Sequence, residues 1–115
     1  MARSHKPIVW SLFAAGGTFA AFVTPAMIVV SGLAISIGLL PAEALAYDRM
    51  LALLQNPFGK GFAFLTVFLP AWHAAHRLRI TAHDFGIRAD LIVAAVCYGL
   101  ATGATLLAGG ALLRL

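Results

Sequence analysis

Charge is what this sequence has least of. Only 10% of its 115 residues are Asp, Glu, Lys or Arg, against 62% hydrophobic residues and a mean hydropathy of +0.94. A soluble domain of this length leaves much of its surface wet and could not hide so much apolar area, so the composition points to the lipid bilayer as solvent. Cysteine is nearly absent. The single Cys97 cannot close an internal disulfide, and within its apolar run it reads as a small packing residue. Basic residues outnumber acidic ones, 8 to 4, for a formal charge of +4. They are scattered at the ends of apolar runs, however, and form no basic face that could hold a phosphate backbone. Nucleic acid is excluded as a partner on that ground. No internal repeat or linker divides the chain, which reads as one domain over residues 1–115.

The apolar runs predict an all-α membrane protein with three transmembrane helices. Met1 to Pro7 is short and basic, like the start of a signal peptide, but the uncharged run Trp10 to Ala42 far exceeds the ~7–15 apolar residues of a cleavable signal. It reads as a retained first span, about 11–40, long enough at ~1.5 Å per residue to tilt, kink or begin as an interfacial segment across a core of ~30 Å. Pro25 removes a backbone hydrogen bond mid-run, which membrane helices tolerate. Gly32 and Ser36 form a small-xxx-small pair suited to close helix contact. Pro41 to Asn56 is the first loop, with a short helix lying at the membrane surface over about 42–55. Pro41 suits a helical first turn, and Glu43 follows where the helix dipole favours an acid. The second span is expected over about 58–76, with Pro70 near its far end. A second loop, His76 to Asp90, carries Arg77, Arg79 and Arg88 against Asp84 and Asp90. The third span follows over about 91–113, where Ala95, Gly99 and Gly103 recur every fourth residue as a ridge for another helix.

Lys and Arg set the expected topology. The N-terminus and second loop carry Arg3, Lys6, Arg77, Arg79 and Arg88; the first loop and C-terminus carry Arg49, Lys60 and Arg114. That bias of five to three puts the N-terminus of this multi-pass chain in the cytoplasm and the C-terminus outside. Trp10 and Trp72 then both lie near the cytoplasmic interface, where Trp is enriched.

The ionisable residues crowd into one stretch, Leu69 to Asp84, where the second span meets water and His73, His76, Arg77, Arg79 and His83 follow within a few turns. These residue types admit two readings. Trp10 is an interfacial anchor and Arg77 a snorkelling topogenic charge, or they belong to a site for an amphipathic redox ligand such as a quinone. For the second, Trp10 offers an aromatic wall and an N–H donor, and Phe13, one turn on, lines the same slot. Arg77 stabilises negative charge developing on a reduced oxygen, and His76 donates or relays a proton near neutral pH. Haem is the rival ligand. His73 and His76 lie about 60° apart on one helix face, so they cannot grip one iron from opposite sides, and either could supply one axial ligand at most. His83 and Asp84 read as a hydrogen-bonded pair or a helix cap. A proton-coupled transporter fits less well, because spans one and three hold no ionisable residue in their interiors.

The ordered set Val9-Trp10-Ser11-Leu12-Phe13, Gly16-Gly17, Pro25 with Met27-Ile28, Leu40 through Arg49, Leu69-Pro70-Ala71-Trp72, His76-Arg77 and His83-Asp84 resembles the D-subunit of fumarate reductase, the smaller anchor of the four-subunit, haem-free complexes. The resemblance covers nearly the whole chain. It implies a three-helix anchor, with no activity of its own, paired with a second anchor, the C-subunit. The two hold an iron–sulfur subunit and an FAD-bearing flavoprotein subunit on the cytoplasmic face, for fumarate reduction in anaerobic respiration. It implies that Trp10, His76 and Arg77 lie near a menaquinol site shared with partner chains, and it argues against haem. The nearest alternative is a haem-bearing succinate dehydrogenase anchor. Relatives carry further histidines just after the His-Arg pair where this chain has Arg79 and Ile80, so the resemblance brings no proton path to those positions.

Overall fold

The computed structural model describes residues 6–115; Arg3, counted in the charge bias, lies outside the described residues. The described residues form no strand. Helix α1 spans Lys6–Ile28 and continues as a π-helical stretch, Val29–Ala34; a short 3₁₀ turn, Ala42–Leu45, precedes α2, Tyr47–Gln55; α3 spans Pro57–Asp84 and α4 Asp90–Leu113.

Local chemistry sets the ends of these elements. Two glycines with positive φ, Gly38 (75°) and Gly86 (81°), stop the helices before them. At the first, Leu39 N–H donates to the Ala34 carbonyl (2.8 Å) and Gly38 N–H to that of Ile35 (3.1 Å); at the second, Ile87 N–H donates to Ala82 (3.0 Å) and Gly86 N–H to His83 (2.9 Å). This paired closure satisfies orphan carbonyls, and a left-handed residue without a Cβ makes it inexpensive. Asn56 starts α3, its side-chain oxygen accepting from Phe58 N–H at 2.9 Å, with Pro57 in the first turn where its missing donor costs nothing. Pro25 does not end α1; the winding changes only at Val29.

The helix α3 corrects the loop expected from His76 onward. Nothing between Arg77 and Asp84 breaks a helix, since the segment has neither Gly nor Pro, so its polarity marks departure from the apolar run without ending the helix. Chain reversal is left to residues 85–89 alone.

Helix α3 lies between α1 and α4 and packs against both along much of its length, while α1 and α4 barely meet. The contacts use the smallest residues. Gly16, Ala34, Gly59, Ala75 and Ala101 are buried, and among the described residues no large side chain is fully buried, whereas Phe22, Phe58, Leu91, Leu107 and Leu113 lie open. Among the described residues, two helical stretches, Lys6–Ala34 and Asp90–Leu113, are long and apolar enough to cross a membrane, yet only 6% of the most apolar window of each is buried. Apolar helices that keep their apolar faces outward suit hydrocarbon and would aggregate in water.

The small-residue pairs singled out in the sequence are not the contacts made within the chain. A Cβ at Gly32, Gly99 or Gly103 would meet nothing within 4 Å, and Ser36 turns its hydroxyl back to the Gly32 carbonyl at 2.6 Å. The close approach falls at Gly16, where a Cβ would stand 2.5 Å from the Leu69 carbonyl oxygen and 2.9 Å from the His73 Cβ. Gly16→Ala should therefore push α1 off α3, at a cost of about 1–3 kcal/mol. A drop in the thermal unfolding temperature of the purified protein is the expected result, and an unchanged one would show that the helices do not meet there.

Candidate quinone cleft at the polar end of the helices

The approach at Gly16 places one residue type after another. With Gly16 and Gly17 bare, the His73 imidazole lies against α1; a Cβ at Gly17 would stand 2.6 Å from its Cε1. Its Nδ1 is 2.9 Å from the Phe13 carbonyl oxygen, which can only accept, so Nδ1 carries the proton. The Phe13 ring covers one face of that imidazole, with centroids 4.4 Å apart and planes within 10°. Phe13 also meets the His76 ring edge-on at 4.8 Å and Trp10 at 5.4 Å.

Helix α4 adds a second wall. The Trp72 indole N–H donates to Thr105 Oγ1 at 3.1 Å, and the Thr105 hydroxyl donates in turn to the Ala101 carbonyl at 2.8 Å. Trp72 stacks with Tyr98, centroids 6.0 Å apart, and Tyr98 Oη lies 2.9 Å from His76 Nδ1. Because α1 and α4 splay on either side of α3, a cleft of about 280 Å³ opens between them, lined by Val9, Leu12, Phe13, Trp72, His76 and Tyr98. Its walls are flat and apolar, with three hydrogen-bonding side chains, Trp72, His76 and Tyr98, a plan typical of sites for small amphipathic molecules.

Of the residues nominated from the sequence, Phe13 and His76 line this cleft. Trp10 flanks it through its contact with Phe13 while remaining 64% exposed. Arg77 is exposed and outside the lining; as the next residue after His76 it points about 100° further round α3. His73 is behind Phe13 and not in the lining. Val9, Leu12, Trp72 and Tyr98 are the cleft residues that the sequence reading did not nominate as site residues. A lone tyrosine in an apolar span was the available signal, since its hydroxyl must find a partner when buried. His83 pairs with Arg88, whose Nη1 donates to its Nε2 at 3.1 Å, rather than with Asp84.

Above the cleft a two-point ion pair joins α3 to α4. Arg79 Nε and Nη2 donate to the two carboxylate oxygens of Asp90 at 2.9 and 2.5 Å, and the guanidinium lies over the Tyr98 ring, 5.9 Å from its centroid. The hydrogen bond from Arg79 holds the Asp90 carboxyl below its ordinary value of 3.8. A depressed carboxyl contributes stability above that ordinary value and loses it as pH falls through the depressed one. Both side chains are partly exposed, 36% and 50%, so the contribution is small. Thermal unfolding of wild type and Asp90→Asn should differ at neutral pH and converge below pH 3.8; a gap that persists in acid would mean that charge pairing is not its source.

An all-helical membrane protein, with small residues at its helix contacts and a flat-walled cleft at its polar end, is the class that fold and site define. A family model for the fumarate reductase D-subunit matches residues 1–113. The chain belongs to that family, the membrane anchors of a respiratory complex. It is 39% identical over 99 residues to the fumarate reductase D-subunit of Vibrio vulnificus, covering 86% of this chain and 79% of the relative. Against the protein of that name from Vibrio cholerae it is 40% identical over 100 residues, with 87% and 77% covered. Against that from Shewanella putrefaciens it is 35% identical over 106 residues, with 92% and 88% covered.

Proposed function

We propose that this chain attaches the flavoprotein and iron–sulfur subunits of a fumarate reductase to the cytoplasmic face of the bacterial inner membrane, together with a second anchor, the C-subunit, and that its cleft forms part of the menaquinol site. The observation that carries the reading is the cleft joining Phe13, Trp72, His76 and Tyr98 beside Trp10 at the polar end of the helices. Its form suits a quinone: aromatic side chains for the flat ring and an imidazole for a ring oxygen.

All three long helices cross the bilayer in this proposal. Helix α3 carries Lys60, Pro70, Trp72 and His73 and so is less apolar than its neighbours. Its 28 residues nevertheless extend ~42 Å at ~1.5 Å per residue, and the molecule is 54 Å along its longest axis, ample for a core of ~30 Å. The open ridge at Gly99 and Gly103 faces away from the rest of the chain and suits a helix of the second anchor. The charge bias sets the orientation. A reporter that works only in the periplasm, fused after Leu115, should be active; activity instead from a reporter that folds in the cytoplasm would overturn the three-span arrangement.

Bound menaquinol supplies two electrons and two protons. The protein's part is to hold the ring between Phe13 and Trp72, to exclude water from the apolar walls, and to set a hydrogen bond from His76 at a ring oxygen. Trp10 closes the rim next to Phe13. Arg77, on its long stem, supplies a permanent charge and a fork of donors from the rim. Loss of one charge-assisted hydrogen bond felt in the transition state slows a reaction about tenfold to a hundredfold. In the assembled complex, Arg77→Leu and His76→Leu should each lower quinol-driven fumarate reduction by that much relative to reduction by an artificial donor to the soluble subunits. Two activities falling together would mark a structural residue. Wild-type quinol oxidation by Arg77→Lys would show that no directional hydrogen bond from Arg77 is needed.

A further inference from the structure

Neutral imidazole presents one donor and one acceptor, and which nitrogen is which decides what it can do for a ligand. Nδ1 of His76 is engaged by the Tyr98 hydroxyl at 2.9 Å. That leaves Nε2 as the nitrogen for a molecule in the cleft, and the proton of the Tyr98–His76 bond can sit on either partner. If Tyr98 accepts, Nδ1 holds the proton and Nε2 is an acceptor. If Tyr98 donates, Nε2 holds the proton and is a donor.

The surroundings of Tyr98 choose between these. Arg79 lies over the ring, held there by both oxygens of Asp90. A guanidinium has donors only, so anything it gives Tyr98 goes to the hydroxyl oxygen or the ring face. With the guanidinium 5.9 Å from the ring centroid, its charge favours the phenol dipole that keeps the oxygen toward Arg79 and turns the proton away from it. The proton then points to His76 Nδ1, 2.9 Å from that oxygen. The ring itself has little freedom: Trp72, tied to Thr105, stacks on it at 6.0 Å. Asp90 opens α4 and Tyr98 lies eight residues on, just over two turns along and about 80° round the helix, and Arg79 reaches both.

We propose that Tyr98 is a positioning residue for the menaquinol site: its hydroxyl, oriented by Arg79 and the Asp90 carboxylate behind it, donates to His76 Nδ1 and fixes the proton of neutral His76 on Nε2, so that His76 meets the cleft as a hydrogen-bond donor. This inference rests on the quinone reading of the cleft. It makes the surface pair Arg79–Asp90 part of the support of the site, two residues removed from the ligand.

The direct test is nitrogen-15 solid-state NMR of the assembled complex with labelled histidine, His76 being assigned by difference against His76→Gln. The expected signal from the wild-type complex, at a pH where His76 is neutral, is one tautomer with protonated Nε2. Protonated Nδ1 would overturn the proposal, and this measurement needs no altered Tyr98. Tyr98→Phe keeps the ring and removes the hydroxyl. It should give a mixture of tautomers, weaken binding of a fluorescent quinol analogue about tenfold, and lower the quinol-driven rate, divided by the artificial-donor rate of the same preparation, by a similar factor. Added to His76→Gln, it should change neither quantity further. If His76→Gln impairs quinol oxidation while Tyr98→Phe leaves the tautomer and analogue binding as in wild type, the role of Tyr98 fails and the quinone reading stands. If His76→Gln itself oxidises quinol and binds the analogue as wild type does, the reading of the cleft fails and this inference with it.

Discussion

Everything at the polar end of this molecule follows from α1 and α3 touching without side chains between them. Gly16 sits against the Leu69 carbonyl, and Gly17 leaves room for the His73 ring. Hydrocarbon solvent gives no reward for burying large apolar groups between helices, so contact must come from close van der Waals approach and from polar groups that find partners across the interface. Both are present here. The glycines set the separation, and the bond from His73 to the Phe13 carbonyl fixes the rotation of α1 about its axis. With that rotation fixed, Phe13 and Leu12 face the cleft and Trp10 its rim.

The same logic explains why the molecule looks inverted beside a soluble protein. Its buried positions are glycine and alanine, and its large side chains face outward. Polar side chains within the apolar helices are satisfied locally: Ser11, Ser31, Thr66 and Thr102 each donate to the carbonyl four residues back. Side chains that reach across helices instead, Trp72, His73 and His76, gather in and behind the cleft, with Arg79 above it.

Apolar runs without charge announced helices, and the aromatic and imidazole residues at one end announced where chemistry would gather; Phe13 and His76 do meet. Other features were hidden for physical reasons. Polarity after His76 looked like a loop, because departure from an apolar run and the end of a helix leave the same trace in hydropathy; only the glycine at 86 marks the true stop. Small residues spaced by four announced helix contacts, but such spacing cannot say whether the neighbour belongs to the same chain, and the ridge at Gly99 and Gly103 stayed open. Tyr98 was hidden because its partners are remote in sequence. His76 is 22 residues away, and Arg79 comes within reach only once the turn at Gly86 brings α4 back beside α3.

A single helix in a bilayer can slide along the membrane normal and choose its own tilt. Helix α3 has lost much of that liberty at its first turn. Asn56 joins it to α2 through a side-chain cap, and Gly59 lets the Leu53 carbonyl press against the α3 backbone, so the two helices meet with no hinge between them. In the proposed three-span arrangement, α2 at the headgroup layer would serve as a float, with α3 hanging from it as a rod of fixed length. The height of the opposite end above the bilayer midplane would then be a property of the covalent chain and not of the lipid, and with it the reach between the proposed quinol cleft and a subunit docked over it.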